Sequence, residues 1–197
     1  MELANNQLTH VAFILDGNKR WAKKNNFPST NGYKKGFENI KNIIDFSINK
    51  KIPIITLYTL SSENFNRSSV NIIYDIIYSN FNNLFEDLTN NKNININIFG
   101  SREGLPLKIL KIFDQVDKKK SINPALNLNL AFNYGFKEEI KLVLKNLKKN
   151  INSINLDTNR DIESLFFLGN TPDPDILIRT GGYKRLSNFI MYNLTYT

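Results

Sequence analysis

Five short apolar runs alternate along this chain with stretches whose apolar residues recur every three or four positions. The runs are 11–15, 52–58 ("IPIITLY"), 94–99, 126–132 ("LNLNLAF") and 176–179 ("ILIR"). They read as strands. Between them, Phe37, Ile40, Ile44 and Ile48 mark one helical face, and Ile73, Ile77, Phe81, Leu84 and Leu88 a second. Leu107 to Val116 follows Pro106, which suits a first helical turn, and Ile140, Val143, Leu144 and Leu147 mark a fourth face. Strands that alternate with helices bury all their apolar faces in few ways. The pattern predicts one α/β domain over 1–197, a mainly parallel central sheet surrounded by helices. The asparagines interleaved at 94–98 and 126–130 predict half-exposed strands, as at a sheet edge.

Composition removes whole classes of chemistry. The chain has 197 residues, no cysteine and one histidine, His10. That excludes disulfides and thiolate chemistry, and argues against a histidine-built metal site or a Ser-His-Asp triad. No apolar run approaches the roughly 18 residues of a membrane span, and "MELANNQLTH" lacks signal-peptide features, so a cytoplasmic protein is expected. The net charge of +8 points to an anionic partner, although a surface rich in lysine accounts for it as well. No nucleic-acid motif, P-loop or GxGxxG occurs, and no nucleic-acid partner is expected.

In open α/β sheets, ligands bind outside the carboxyl ends of the strands. The segments following the predicted strands are therefore informative. They are Asp16-Gly17-Asn18-Lys19-Arg20, "TLSSENFNRS" at 59–68, "NYGFKEE" from Asn133, and "RTGGYKRLSN" at 179–188. Gly17 permits a sharp turn into a helix start, where free N–H groups favour an anion, and Lys19 and Arg20 add charge. Asp16 would repel a bare phosphate, but suits one shared with Mg2+. An Asx turn capping a helix explains the same residues. Arg179, Arg185 and Ser187, grouped around two glycines, could hold a diphosphate; a solvated surface turn is the alternative. "SSENFNR" offers Glu63, Asn64 and Arg67 as polar contacts, or Ser61 and Ser62 as helix caps. The helix around 70–88 is apolar over a broad arc, which suits core burial or the wall of a groove for a hydrocarbon tail.

"HVAFILDGNKRWAKK", "GYKKGFENIKNII", "ITLYTLSSENFNR", "LNLAFNYGFKEEI" and "PDPDILIRTGGYKRLSNFIMYNLTYT" together resemble the cis-prenyltransferase family, with undecaprenyl diphosphate synthase as bacterial representative. They follow the family's order and spacing over essentially the whole chain. The resemblance implies a homodimeric α/β enzyme using Mg2+. It would add isopentenyl diphosphate to an allylic diphosphate such as farnesyl diphosphate, forming cis double bonds. The polyprenyl diphosphate product implies transient contact with a membrane surface. By the same resemblance, Asp16 serves Mg2+ and catalysis, and Asn64 is a second catalytic residue. Gly17, Asn18, Lys19, Arg20 and Trp21 serve the allylic substrate, with Asn18 a candidate for proton transfer. Ser61, Ser62, Glu63, Phe65 and Arg67 are further substrate-site residues, and Arg179, Arg185 and Ser187 hold isopentenyl diphosphate.

The chain departs from the family's pattern in places. Ser29 and Tyr33 stand where the family has Arg and His, and Tyr183 and Lys184 where it has an acid and often His or Gln. The chain stops at Thr197, one residue before an expected metal-binding Glu. The expectation is a C-terminally shortened member without the last strand and the segment that reaches a partner subunit. The alternative reading is a non-catalytic binding or partner subunit of the same fold.

Overall fold

The computed structural model describes residues 7–64, 70–91, 93–150 and 154–197. All five predicted strands are present: β1 (His10–Ile14), β2 (Ile54–Ser61), β3 (Ile94–Phe99), β4 (Leu126–Tyr134) and β5 (Ile176–Arg179). They form one parallel sheet in the order β3-β4-β2-β1-β5. The helices are α1 (Asn18–Lys24), α2 (Ser29–Asn49), α3 (Val70–Glu86), α4 (Leu107–Lys118), α5 (Phe136–Asn150) and α6 (Asn159–Glu163), with a π-helical turn, Asp87–Asn91, continuing α3. The side chains of Phe81 and Leu84, predicted on the α3 face, lie outside the described set. Among the described residues, no helix is long and apolar enough to cross a membrane.

Period-two alternation gives the sheet two different faces. Ile55, Leu57, Ile96, Leu128 and Phe132 join Ile44 of α2, Tyr74 and Phe85 of α3, and Ile109, Ile112, Phe113 and Val116 of α4 in the larger apolar cluster. Ala12, Ile14, Tyr58, Phe99, Ala131 and Tyr134 turn the other way, against Leu168, Phe189 and Ile190. On this second face the registers Asn97↔Asn129 and Thr56↔Asn129 line up polar side chains. Asn97 Nδ2 donates to Asn129 Oδ1 at 3.2 Å, Asn129 Nδ2 to Thr56 Oγ1 at 3.3 Å, and Thr56 Oγ1 lies 2.7 Å from His10 Nε2. His10 Nδ1 is 2.6 Å from the Pro172 carbonyl, which can only accept. The proton therefore sits on Nδ1, and Nε2 accepts from Thr56. Burial holds the His10 pKa below its usual value, against the opposing effects of the Pro172 carbonyl, Asp175 and Asp173.

This ladder corrects the edge reading for one strand. β3 is an edge, but β4 lies inside the sheet and Asn129 is buried. Asparagine is tolerated there because each amide finds a partner on the neighbouring strand.

Two glycines seat α1 on α2. A Cβ on Gly32 would come 2.1 Å from the Asn18 carbonyl oxygen, and one on Gly36 would come 2.7 Å from Asn18 Nδ2. Gly32 lets the two helices touch backbone to backbone, and Gly36 makes room for the Asn18 side chain.

Candidate active site

β1 has β2 on one side and β5 on the other, so the loops after β1 and β5 emerge side by side. Strand order reverses at β1, where a parallel sheet opens a crevice at its carboxyl edge. Gly17, at φ +100°, and Gly181, at φ +80°, bring the two turns into contact. A Cβ on Gly17 would stand 3.0 Å from the Gly181 Cα, and one on Gly181 would stand 2.8 Å from the Asp16 carbonyl oxygen. Both positions need glycine for backbone conformation and for space.

Asp16 is the hub of this junction. Its Oδ2 accepts from Arg179 Nη2 at 2.7 Å, while Oδ1 accepts from the Gly17 N–H at 2.7 Å and lies 3.2 Å from Arg20 Nη2. The Asp16 N–H donates to Thr180 Oγ1 at 2.9 Å, and Thr180 Oγ1 donates to the Asp16 carbonyl at 2.7 Å. Partial burial opposes ionisation of Asp16. Hydrogen bonds from Arg179 and Gly17, with the charges of Arg179 and Arg20, outweigh it and hold the carboxyl below its usual pKa. The carboxylate does not cap α1: the helix has no side-chain cap and no acid in its first turn. Its first N–H groups are thus left for a ligand or solvent.

Arg179 extends the array, donating through Nη1 to Ser187 Oγ at 2.7 Å and to the Arg185 carbonyl at 2.5 Å. Among the described residues its buried Nε has no hydrogen-bond partner. Arg20 donates to the Gly181 carbonyl at 2.5 Å and lies 4.2 Å from the centroid of the Tyr183 ring.

These groups frame the mouth of a cavity of about 390 Å3. Asp16, Gly17, Asn18, Lys19, Arg20, Asn64 and Arg185 all border it, together with Tyr33 and Tyr183. Inward, the lining becomes apolar: Phe37 and Ile40 from α2, Ile73, Ile76 and Ile77 from α3, Ile112 and Phe113 from α4, and Ile96, Ile98, Leu128 and Leu130 from the sheet. The broad apolar arc of α3 serves both the core and this wall.

Other candidates lie elsewhere. Arg179 and Ser187 sit behind Asp16 rather than on the cavity surface. Ser61 accepts from the Asn64 N–H at 3.3 Å, as a cap does, and Ser62 donates to Glu138 at 3.2 Å. Neither they nor Glu63 border the cavity. Trp21 faces away from it, stacked on Phe27 at 6.0 Å. Phe65 and Arg67 lie outside the described residues. Sequence reasoning passed over Thr180 as a hinge between the turns and noted Tyr33 and Tyr183 only as departures from a pattern.

Among the described residues no cluster of three or more His, Cys, Asp or Glu could hold a metal alone. Asp16 is the one carboxylate among the described residues bordering the cavity. That donor set fits Mg2+ only if a bound diphosphate supplies further oxygens, the usual way this hard cation is held beside phosphates.

Residues 14–197 match the family described as "Putative undecaprenyl diphosphate synthase". The isoprenyl transferase of Clostridium acetobutylicum is 38% identical over 197 residues, covering 95% of this chain and 76% of that protein. The isoprenyl transferase of Thermotoga maritima is 34% identical, covering 95% and 82%. The crystal structure of lavandulyl diphosphate synthase from Lavandula x intermedia, in complex with dimethylallyl diphosphate, superimposes with a TM-score of 0.88 at 27% identity, covering 95% and 83%.

Proposed function

Because this chain belongs to the undecaprenyl diphosphate synthase family of prenyltransferases, we propose that it condenses isopentenyl diphosphate onto an allylic diphosphate of the farnesyl type, with a cis double bond in each added unit. The observation that carries this reading is the continuity of a cationic, hydrogen-bonding mouth with an apolar cavity of about 390 Å3. Such a shape suits a ligand with a diphosphate head and a hydrocarbon tail.

In this reading the first-turn N–H groups of α1, with Lys19 and Arg20, hold the allylic diphosphate, while its tail lies along α2 and α3. By the family resemblance Arg179, Arg185 and Ser187 hold isopentenyl diphosphate, with Arg185 on the cavity and Arg179 and Ser187 behind Asp16. Asp16 would hold Mg2+ against the allylic diphosphate, where the ion supplies positive charge to the leaving group. The allylic C–O bond breaks, and its electron pair leaves with the diphosphate. The isopentenyl double bond attacks the resulting cation, forming the new C–C bond, and a proton is then lost. Fixed cations placed where negative charge gathers act most strongly at the transition state. The apolar wall keeps water from the carbocation. In this reading Asn18, which lies against Gly36, guides the departing proton, and Asn64 supports the reacting head groups; both border the cavity. A homodimer, a cytoplasmic address and brief contact of the lipid product with a membrane surface belong to the same proposal and rest on the family.

The test is a product assay with farnesyl diphosphate, labelled isopentenyl diphosphate and Mg2+, resolving extracted lipids by length. Elongated product is expected, with kcat/KM reduced at least about 100-fold in Asp16→Ala. Folded chain that binds the diphosphates but makes no product would overturn the enzyme in favour of a binding or partner subunit.

A further inference from the structure

Three guanidinium groups gather around the turns after β1 and β5, Arg20 and Arg185 on the cavity and Arg179 behind Asp16, and they are held very differently. Arg179 is fixed by Asp16, Ser187 and the Arg185 carbonyl. Arg20 is fixed by Asp16 and the Gly181 carbonyl, and it also lies 4.2 Å from the Tyr183 ring centroid. Among the described residues the Arg185 guanidinium has no hydrogen bond or ion pair. Its contact is the same Tyr183 ring, 5.3 Å from its Cζ. Tyr183 is about half exposed, borders the cavity with both arginines, and follows Gly181 and Gly182, both at positive φ. A ring next to such a turn would have little reason to stay at the mouth unless something attracted it there. Two cations against one aromatic ring supply that attraction, and the ring in turn offsets part of their mutual repulsion.

We infer that Tyr183 is a positioning residue: its ring holds Arg185 beside Arg20 and so sets the spacing of the two cationic arms at the mouth. The inference rests on the proposal that Arg20 serves the allylic diphosphate and Arg185 isopentenyl diphosphate. It carries an asymmetry. Arg20 keeps two other anchors when the ring is removed, whereas Arg185 keeps none. Loss of the ring therefore weakens the isopentenyl side far more than the allylic side. No role falls to the phenol hydroxyl, which makes no hydrogen bond among the described residues.

Steady-state kinetics of Tyr183→Ala and Tyr183→Phe, with each substrate varied in turn, test this directly. Tyr183→Ala is expected to raise KM for isopentenyl diphosphate by roughly twofold to fivefold, a loss of one exposed cation–π contact. The KM for the allylic substrate and kcat should change less than twofold, and Tyr183→Phe should restore the wild-type values. In an Arg185→Ala background, Tyr183→Ala should add nothing, since the ring acts through that arginine. Equal effects on both substrates, failure of Phe to rescue, or additivity with Arg185→Ala would each overturn the inference. Calorimetric titration with isopentenyl diphosphate alone separates this from the fate of the enzyme reading. A wild-type chain without turnover would sink that reading. A Tyr183→Ala affinity equal to wild type would sink this one.

Discussion

The two faces of the sheet solve opposite problems with the same five strands. One face presents Ile96, Ile98, Leu128 and Leu130 to a cavity. The other joins Asn97, Asn129, Thr56 and His10 by hydrogen bonds from β3 to β1, ending on the Pro172 carbonyl. An apolar wall beside a cavity forgoes part of the dispersion contact of a packed core. The hydrogen-bonded face has no such slack, because each partner lost strands a buried polar group. The contrast suggests a division of labour, in which the polar face fixes strand register and the apolar face is left free to be shaped for a ligand.

Thr56→Val should break this contrast most strongly. It removes the donor to His10 Nε2 and the acceptor for Asn129 Nδ2, and should lower stability by about 2–5 kcal/mol in urea unfolding. By comparison Ile98→Ala, beside the cavity, should cost no more than about 2 kcal/mol, the low end for a buried Ile→Ala change. Equal costs would show that the faces do not differ.

A smaller effect separates the faces by pH. Because the folded His10 pKa lies below 6.5, the unfolded chain takes up the proton first. Stability should therefore fall as pH drops through 6.5, by up to about 1.4 kcal/mol per pH unit, until the folded pKa is reached. Asp175, held below its usual pKa by hydrogen bonds from the His10 and Thr9 N–H groups, adds its own loss only below 3.8. His10→Gln should flatten the first window and leave the second. An unchanged curve between pH 7 and 5 would remove His10 from the account.

The smallest expected stability change comes from narrowing the cavity. Leu130→Phe should leave the unfolding free energy within about 0.5 kcal/mol while shortening the lipid products in the assay above. Products of unchanged length would place the tail elsewhere.

The strands were legible because a strand and a helix differ in apolar period, and all five runs fell where the period changes. Strand order was not, since nothing local says that β5 lies beside β1. The buried Asn129 was misread for a related reason. An asparagine at every second position looks exposed until the partner amides on neighbouring strands are known. At the mouth, residue types were legible from the loops after β1 and β5. The hub was not, because Asp16 and Arg179 are 163 residues apart in sequence. Trp21 shows the limit from the other side. It stands next to the mouth in sequence, but the turn of α1 carries it outward onto Phe27.

The contact between the Gly17 and Gly181 turns also has a consequence for synthesis. Of the described strands, a ribosome makes β1 first and β5 after the other four. With 163 residues between Asp16 and Arg179, translation at about 5–20 residues per second leaves Asp16 waiting some 10–30 s for that partner. During that interval the nascent chain can build the apolar wall, since β1 to β4 and α2 to α4 are already made. Until β5 and the turn after it are made, the groove stays open and apolar, the kind of surface that chaperones cover.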